Sequence, residues 1–281
     1  MNILKKIIRK IFSDLTSEEK SVLQALKKRP QAPYDFLMRY QKILNNSINW
    51  RELDFKDKTV IEIGCGPHLG FGPLALYLGA KKFIAVDPTV NKRIFNSQKL
   101  LDNYFRLVLK DCNGIYRKSI EFSAFVKTLK DKSIFYNDIN QVPSDYYSNI
   151  DIQLTNSCLE HIENLDVVLS TLKKLLSNNG KYIHTIDFGN HMKTPNPFDE
   201  IYENSPDGFR KKFGNKINLI YPSKMIEMFY EAGFNGASMV PYYFFKEDFK
   251  KQINHYWSDK LLETDYFLKV GIIAGKETSP S

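Results

Sequence analysis

A glycine-rich turn between two apolar runs constrains this chain more than any other feature. Thr59-Val60-Ile61-Glu62-Ile63 leads directly into Gly64-Cys65-Gly66-Pro67-His68-Leu69-Gly70-Phe71-Gly72. Small and apolar residues follow, and a second run, Phe83-Ile84-Ala85-Val86, stops at Asp87-Pro88. Strand, loop, helix and strand in this order make one half of a nucleotide-binding α/β fold. Glycines in the loop let the backbone approach a ligand that a side chain would block. Asp87 lies about 25 residues beyond Glu62, where a carboxylate can accept both hydroxyls of a ribose.

The rest of the chain extends this pattern. Its 281 residues suit one large domain with extensions, and 43% hydrophobic content can fill a core. No apolar run approaches the length of a membrane span, and the start lacks the apolar stretch and cleavage site of a secretory signal. Cys65, Cys112 and Cys158 are far apart and form no metal-type pair, so they read as buried free thiols of a reducing, cytoplasmic compartment. The net charge of +8 is spread along the chain rather than massed in a stripe. That argues against nucleic acid and for a mild preference for an anionic substrate.

Residues 1–52 read as an N-terminal helical extension. Residues 3–12 are amphipathic and basic, suited to packing on the domain or to peripheral contact with an anionic membrane. Thr16-Ser17-Glu18-Glu19 reads as a capping box opening a helix that ends before Pro30. A third helix is expected from about Pro33 to Ile48, closed near Trp50, and it carries Tyr34, Arg39 and Tyr40.

Residues 53–281 read as the main domain. Gly79 stops the helix after the glycine loop. Helices are expected over about 91–109 and 117–130, then strands at 134–136 and 150–155. The fourth strand breaks into Asn156-Ser157-Cys158-Leu159-Glu160-His161. A helix over 164–176 ends at Asn178-Asn179-Gly180, and strand five covers 181–187. Residues 189–222 carry four prolines and no evident element, the mark of a lid or insertion. Ser223 is expected to cap a helix that ends at Gly233, before strand six at 237–245 and strand seven at 265–274. Strands alternating with helices imply a doubly wound sheet.

Glu62-Ile63-Gly64-Cys65-Gly66, with Asp87 after it and Ser157-Cys158-Leu159-Glu160-His161 beyond strand four, resembles the class I S-adenosylmethionine-dependent methyltransferases. Their third loop glycine is absent here, where His68 stands. A dinucleotide enzyme would want a glycine where Leu69 stands. The resemblance implies a Rossmann-like seven-stranded sheet with the seventh strand inserted antiparallel. It also implies S-adenosylmethionine as methyl donor, held by Glu62, Gly64, Cys65, Gly66, Asp87, Pro88, Asp138 and Asn156. His184-Thr185-Ile186-Asp187-Phe188-Gly189-Asn190-His191 is similar to methyltransferases encoded among bacterial surface-polysaccharide genes. That implies a sugar hydroxyl or acid group of a capsule or surface-glycan precursor as acceptor. The aromatics and the basic Arg210-Lys211-Lys212 of the insertion would suit a phosphorylated or nucleotide-linked carrier.

Methyl transfer from a sulfonium is an in-line displacement. An alcohol acceptor loses its proton as the bond forms, so it needs a base. His161 is the first candidate and His191 the second. His68 is assigned to the cofactor loop, and His184, inside a strand, to the core. Asp187 and His191, with Glu160 or His161, offer donors for a divalent ion. Their loose spacing favours ordinary hydrogen bonding, so no metal is assigned. The alternatives are an N or carboxylate acceptor, a cofactor-binding module without catalysis, or a nicotinamide oxidoreductase.

Overall fold

The computed structural model describes residue 20 and residues 33–192, 194–245 and 253–277. The membrane-contact reading of residues 3–12 and the capping box at Thr16 fall outside these. Seven strands form one sheet: β1 (Thr59–Ile63), β2 (Lys82–Val86), β3 (Ser133–Tyr136), β4 (Ile150–Asn156), β5 (Leu176–Asp187), β6 (Ser238–Phe244) and β7 (Leu268–Lys276). Their order is β3-β2-β1-β4-β5-β7-β6. β1 to β5 are parallel, and β7 lies antiparallel between β5 and β6. This is the doubly wound, Rossmann-like sheet expected from the sequence.

Alternation along the strands divides the core in two. Val60, Phe83, Ile152 and Ile183 point to one face, where they pack with α1 (Pro33–Ile48), α2 (Gly72–Tyr77), α3 (Arg106–Tyr116) and α4 (Phe122–Lys132). Ile61, Ile84 and Ile186 point to the other, against α5 (Leu165–Leu175). Because parallel strands are covered on both faces, β1 and β2 read as near-continuous apolar runs.

Several elements differ from expectation. The helix expected from Asn91 begins at Gln98, after a 3-10 turn (Lys92–Asn96) capped by the Asn91 side chain. It passes through a π-helical stretch (Leu101–Phe105) into α3, whose last residue is Tyr116 rather than Leu109. β5 starts at Leu176, which pairs with Ile150, so the Asn178-Asn179-Gly180 stop lies within the strand as an irregularity. The insertion also holds a helix that the sequence pattern missed, α6 (Pro206–Phe213). Ser205 caps it, accepting from Gly208 N at 3.2 Å. Phe209 is its buried anchor, and it joins Phe198, Ile201, Tyr202, Ile217 and Trp257 in a third apolar cluster. The insertion thus builds a small core together with Trp257 from the segment before β7.

The next helix, α7 (Pro222–Glu231), has Tyr221 at its N-cap position with no side-chain cap, and Ser223 lies inside it. Ser223 instead ties to Asp265. Its backbone N donates to Oδ1 at 2.8 Å and its hydroxyl to Oδ2 at 2.6 Å. Leu262 N also donates to that carboxylate, at 2.8 Å. Asp265 therefore belongs to a 3-10 turn (Glu263–Tyr266) that braces α7, and β7 starts only at Leu268. The carboxylate is fully buried and sits at a helix N-terminus, where negative charge is favoured. Asp265→Ala is expected to lower the unfolding free energy by about 3 kcal/mol, since charged hydrogen bonds are lost and their donors stranded. Urea unfolding checks this, with Asp265→Asn losing less.

Candidate functional site

The glycine loop leaves β1 at its carboxyl end, between β2 and β4. Gly64 holds φ +76°, and its N–H donates to Val86 O at 2.8 Å. A Cβ there would lie 2.6 Å from the Cβ of Cys158 and nearer still to its sulfur. At Gly70 a Cβ would press into the Glu62 carboxylate, 2.5 Å from Oε2. The loop therefore folds around Glu62, whose Oε2 accepts from Phe71 N at 2.6 Å. Glu62 is buried, and burial pushes its carboxyl well above the usual range. The Phe71 N–H opposes the shift, and Asp87 adds to it.

Between the unfolded value, about 4.3, and the raised native value, the fold keeps a proton on Glu62 that the unfolded chain has released. Stability attributable to this group is full below the unfolded value and falls as pH rises through the window up to the raised native value. The slope is at most about 1.4 kcal/mol per pH unit. Glu62→Gln is expected to flatten that part of the stability–pH profile. Urea midpoints taken from pH 4.5 upward test it, and an unchanged slope would mean that Glu62 is ionised in the fold.

Asp87 closes the loop from the other side. Its Oδ2 accepts from Gly66 N at 2.8 Å, and its Oδ1 accepts from Thr89 N at 2.7 Å. Asn137, which sequence reasoning passed over, links the end of β3 to this turn. Its amide donates to the carbonyls of Asp87, Pro88 and Val90 at 3.2–3.4 Å. Asp138 is exposed, and its carboxylate accepts from Asn140 N at 2.7 Å as a turn cap. Pro88 is likewise exposed. Neither Asp138 nor Pro88 lines the cleft, and Asp87 borders it only through its bond to Gly66.

That cleft has a volume of about 420 Å³. Its floor is Glu62, Gly64, Cys65, Gly66 and His68. Asn156 and Ser157 from the end of β4 and Thr185 from β5 form one wall, with Tyr104 on another. Phe36 and Tyr40 of α1 and Tyr242 of β6 cover it. Tyr40 donates its hydroxyl to Asn156 Oδ1 at 2.8 Å and meets Tyr242 edge-on at 5.4 Å. Burial pushes the Tyr40 phenol up to about 12, so it remains a donor. Arg39 is exposed on α1 and stands away from this wall. His184 is a core histidine, wholly buried beside Thr155 and held by burial down to about 3.

A second group of polar residues gathers just past the cleft. Asp187 lies two residues beyond Thr185 on β5, and it pairs in register with Val270, another cleft residue. Asp187 N donates to Glu160 Oε1 at 3.2 Å, and Lys269 Nζ donates to Asp187 Oδ2 at 2.8 Å. His191 Nε2 stands 3.7 Å from Glu160 Oε1 and 3.9 Å from Asp187 Oδ2. The His161 and His191 rings meet edge-on at 4.8 Å. Burial lowers the His191 imidazole below its ordinary value, against the pull of Asp187. Two residues here hold left-handed backbone, Ser157 at φ 49° and His191 at φ 54°. Strain of this kind costs about 1–2 kcal/mol per residue and gathers at working sites.

The insertion fixes this group from outside. Asn218 N donates to Glu160 O at 2.7 Å, and the Asn218 amide donates to Leu159 O and Ile162 O at 2.8 and 3.0 Å. The 3-10 turn Leu159–His161 is thereby clamped. Asn218 had no signal in the sequence beyond its polarity. His191 lines a second cavity of about 230 Å³ with Asn190, Thr194, Tyr243 and Lys269. The basic cluster of the insertion is partly neutralised: Lys212 binds Glu200 at 2.8 Å, and Arg210 stands 3.6 Å from Asp207.

No protein-family model and no curated protein matches the chain. Solved structures similar to it include an S-adenosylmethionine dependent methyltransferase from Mesorhizobium loti, at 11% identity over 80% of this chain and 93% of that one, with a TM-score of 0.45. The YcgJ protein of Bacillus subtilis is similar at 12% identity over 85% and 98%, with a TM-score of 0.48. Haemonchus contortus phosphoethanolamine N-methyltransferase 2, in complex with S-adenosyl-L-methionine, is similar at 13% over 86% and 57%, with a TM-score of 0.46. These likenesses are distant, and the fold rests on the strand order rather than on them.

Proposed function

We propose that the chain is an S-adenosylmethionine-dependent methyltransferase that methylates a hydroxyl of a small glycan-type acceptor, such as a capsule or surface-polysaccharide precursor. The observation that carries this reading is the glycine loop, tied by Gly66 N to Asp87 and forming the floor of the cleft between β1 and β4. Open α/β sheets bind nucleotides at this switch in strand order. The donor would lie along Gly64–Gly66, with its ribose at Asp87 and its amino-acid end toward Asn156.

When bound, the donor supplies a methyl group already activated by positive sulfur. The protein then has to hold the acceptor oxygen in line, which can contribute roughly 7–11 kcal/mol. His191 is favoured over His161 as the base. Its lowered basicity keeps it neutral near pH 7, and Asp187, 3.9 Å away and shared with Lys269, favours the imidazolium, whereas burial pushes the Glu160 carboxyl up to about 8. The second cavity, beside His191, is the acceptor's place in this reading, and the insertion over residues 189–222 is its cover.

The test is transfer of a labelled methyl group from S-adenosylmethionine to nucleotide-linked and lipid-linked glycan precursors. Label in a base-stable ether of the sugar supports the reading. Label in an amine or ester moves the acceptor class. Tight donor binding with no transfer to any fraction would leave a cofactor-binding module.

A further inference from the structure

We propose that Glu160, His161 and His191 form a binding site for a divalent cation of the zinc class. One donor atom from each lies within 4.8 Å of the other two. Zinc holds nitrogen and oxygen donors tetrahedrally at about 2.0–2.2 Å, so its ligands stand ~3.3–3.6 Å apart. The His191–Glu160 pair at 3.7 Å is near that spacing, and the other donors would close in from within 4.8 Å.

A second, independent observation concerns Glu160. Its side chain is 4% exposed. Oε1 accepts from Asp187 N, while Oε2 is buried and has no hydrogen-bond partner among the described residues. A buried carboxylate oxygen without a partner is costly in a fold that otherwise clamps this turn with three bonds from Asn218. A cation would satisfy it.

The histidines are prepared in the same sense. His161 Nδ1 lies 2.6 Å from Lys216 O. A proton on Nδ1 donated to that carbonyl leaves the Nε2 lone pair for a metal, the arrangement that orients most ligating imidazoles. His191 turns Nε2 toward the Glu160 carboxylate. Asp187 is already engaged by Lys269, so it lies beside the site as a neutralised neighbour. Two imidazoles and one carboxylate suit zinc and neighbouring first-row ions better than magnesium or calcium, which prefer oxygen donors throughout. Three protein ligands leave a position open, and His191 also lines the second cavity. A hydroxyl in that cavity could complete the coordination and become more acidic there; with the ion bound, His191 is a ligand, and the ion in place of a free imidazole would activate the hydroxyl. Only this last role rests on the methyltransferase reading; binding of the ion does not.

Calorimetric titration of Zn²⁺ into the chelator-treated full chain tests the proposal, with Mg²⁺ titrated separately. One Zn²⁺ per chain is expected, weakened at least tenfold in Glu160→Gln and in His161→Ala, while circular dichroism and thermal unfolding verify that both variants fold. Cobalt substitution should add a visible absorption band that Glu160→Gln loses. Zinc binding equal in all three proteins, absent in all, or surpassed by Mg²⁺ would overturn the proposal. S-adenosylhomocysteine is titrated in parallel. Loss of that binding alone counts against the methyltransferase reading and leaves the ion site standing.

Discussion

Gly64→Ala is expected to abolish donor binding and to lower the unfolding free energy by about 3 kcal/mol or more. Two costs combine. The φ of +76° penalises any Cβ, by about 1–2 kcal/mol. The new methyl also overlaps Cys158, whose backbone belongs to the tight turn after β4, and overpacking of this kind costs about 1–3 kcal/mol. Any relief moves the loop or that turn, and both border the cleft. The readouts are calorimetry with S-adenosylhomocysteine and urea unfolding. Gly114→Ala is the control. Gly114 lies in α3, and a methyl added there would meet nothing within 4 Å, so it should leave binding intact and stability equal or higher. Loss of stability in Gly64→Ala with normal binding would detach the loop from the donor.

His191→Ala should lower kcat by about 10²–10⁴, the usual contribution of a positioned base. Affinity for S-adenosylhomocysteine should be unchanged, because His191 lies beyond the cleft walls. His161→Ala should cost less if His191 alone takes the proton. The pH profile carries the sign. A base acts in its neutral form, and burial has lowered the His191 value. The rate should therefore rise with pH in the acid range with its midpoint below about 6.5, the ordinary imidazole value. A full rate in His191→Ala, or a rise centred well above neutrality, would remove it from the chemistry.

The fold was legible where one physical signal dominated. β1 and β2 are buried on both faces, so their residues form apolar runs that no helix period explains. Pro33–Ile48 presents Leu37, Tyr40 and Leu44 at helical spacing and buries all three. The insertion was illegible because α6 is short and half charged; Phe209 and Phe213 are its only large apolar residues. Its start and stop signals, Ser205-Pro206 and Gly214, were there to be read. Ser223 looked like a cap because the sequence hides its distant partner, Asp265.

The site divides in the same way. Glu62, Gly64, Cys65 and Gly66 are close in sequence, and their joint placement follows from one turn. Glu160, His161, Asp187 and His191 come together only because β4 and β5 are neighbours and a clamp from Asn218 fixes the turn between them. Asp138 and Asn137 show the limit of spacing arguments. Adjacent residues alternate in direction at a strand end, and here the amide reaches Asp87 while the acid caps a turn.

The central claim is that the cleft between β1 and β4 holds S-adenosylmethionine. Calorimetric titration of S-adenosylhomocysteine into the full chain tests it most directly, with Asp87→Ala alongside. One-to-one binding, displaced by S-adenosylmethionine and weakened at least tenfold in Asp87→Ala, is the predicted result. Absence of binding, or binding of a nicotinamide dinucleotide in its place, would contradict the account.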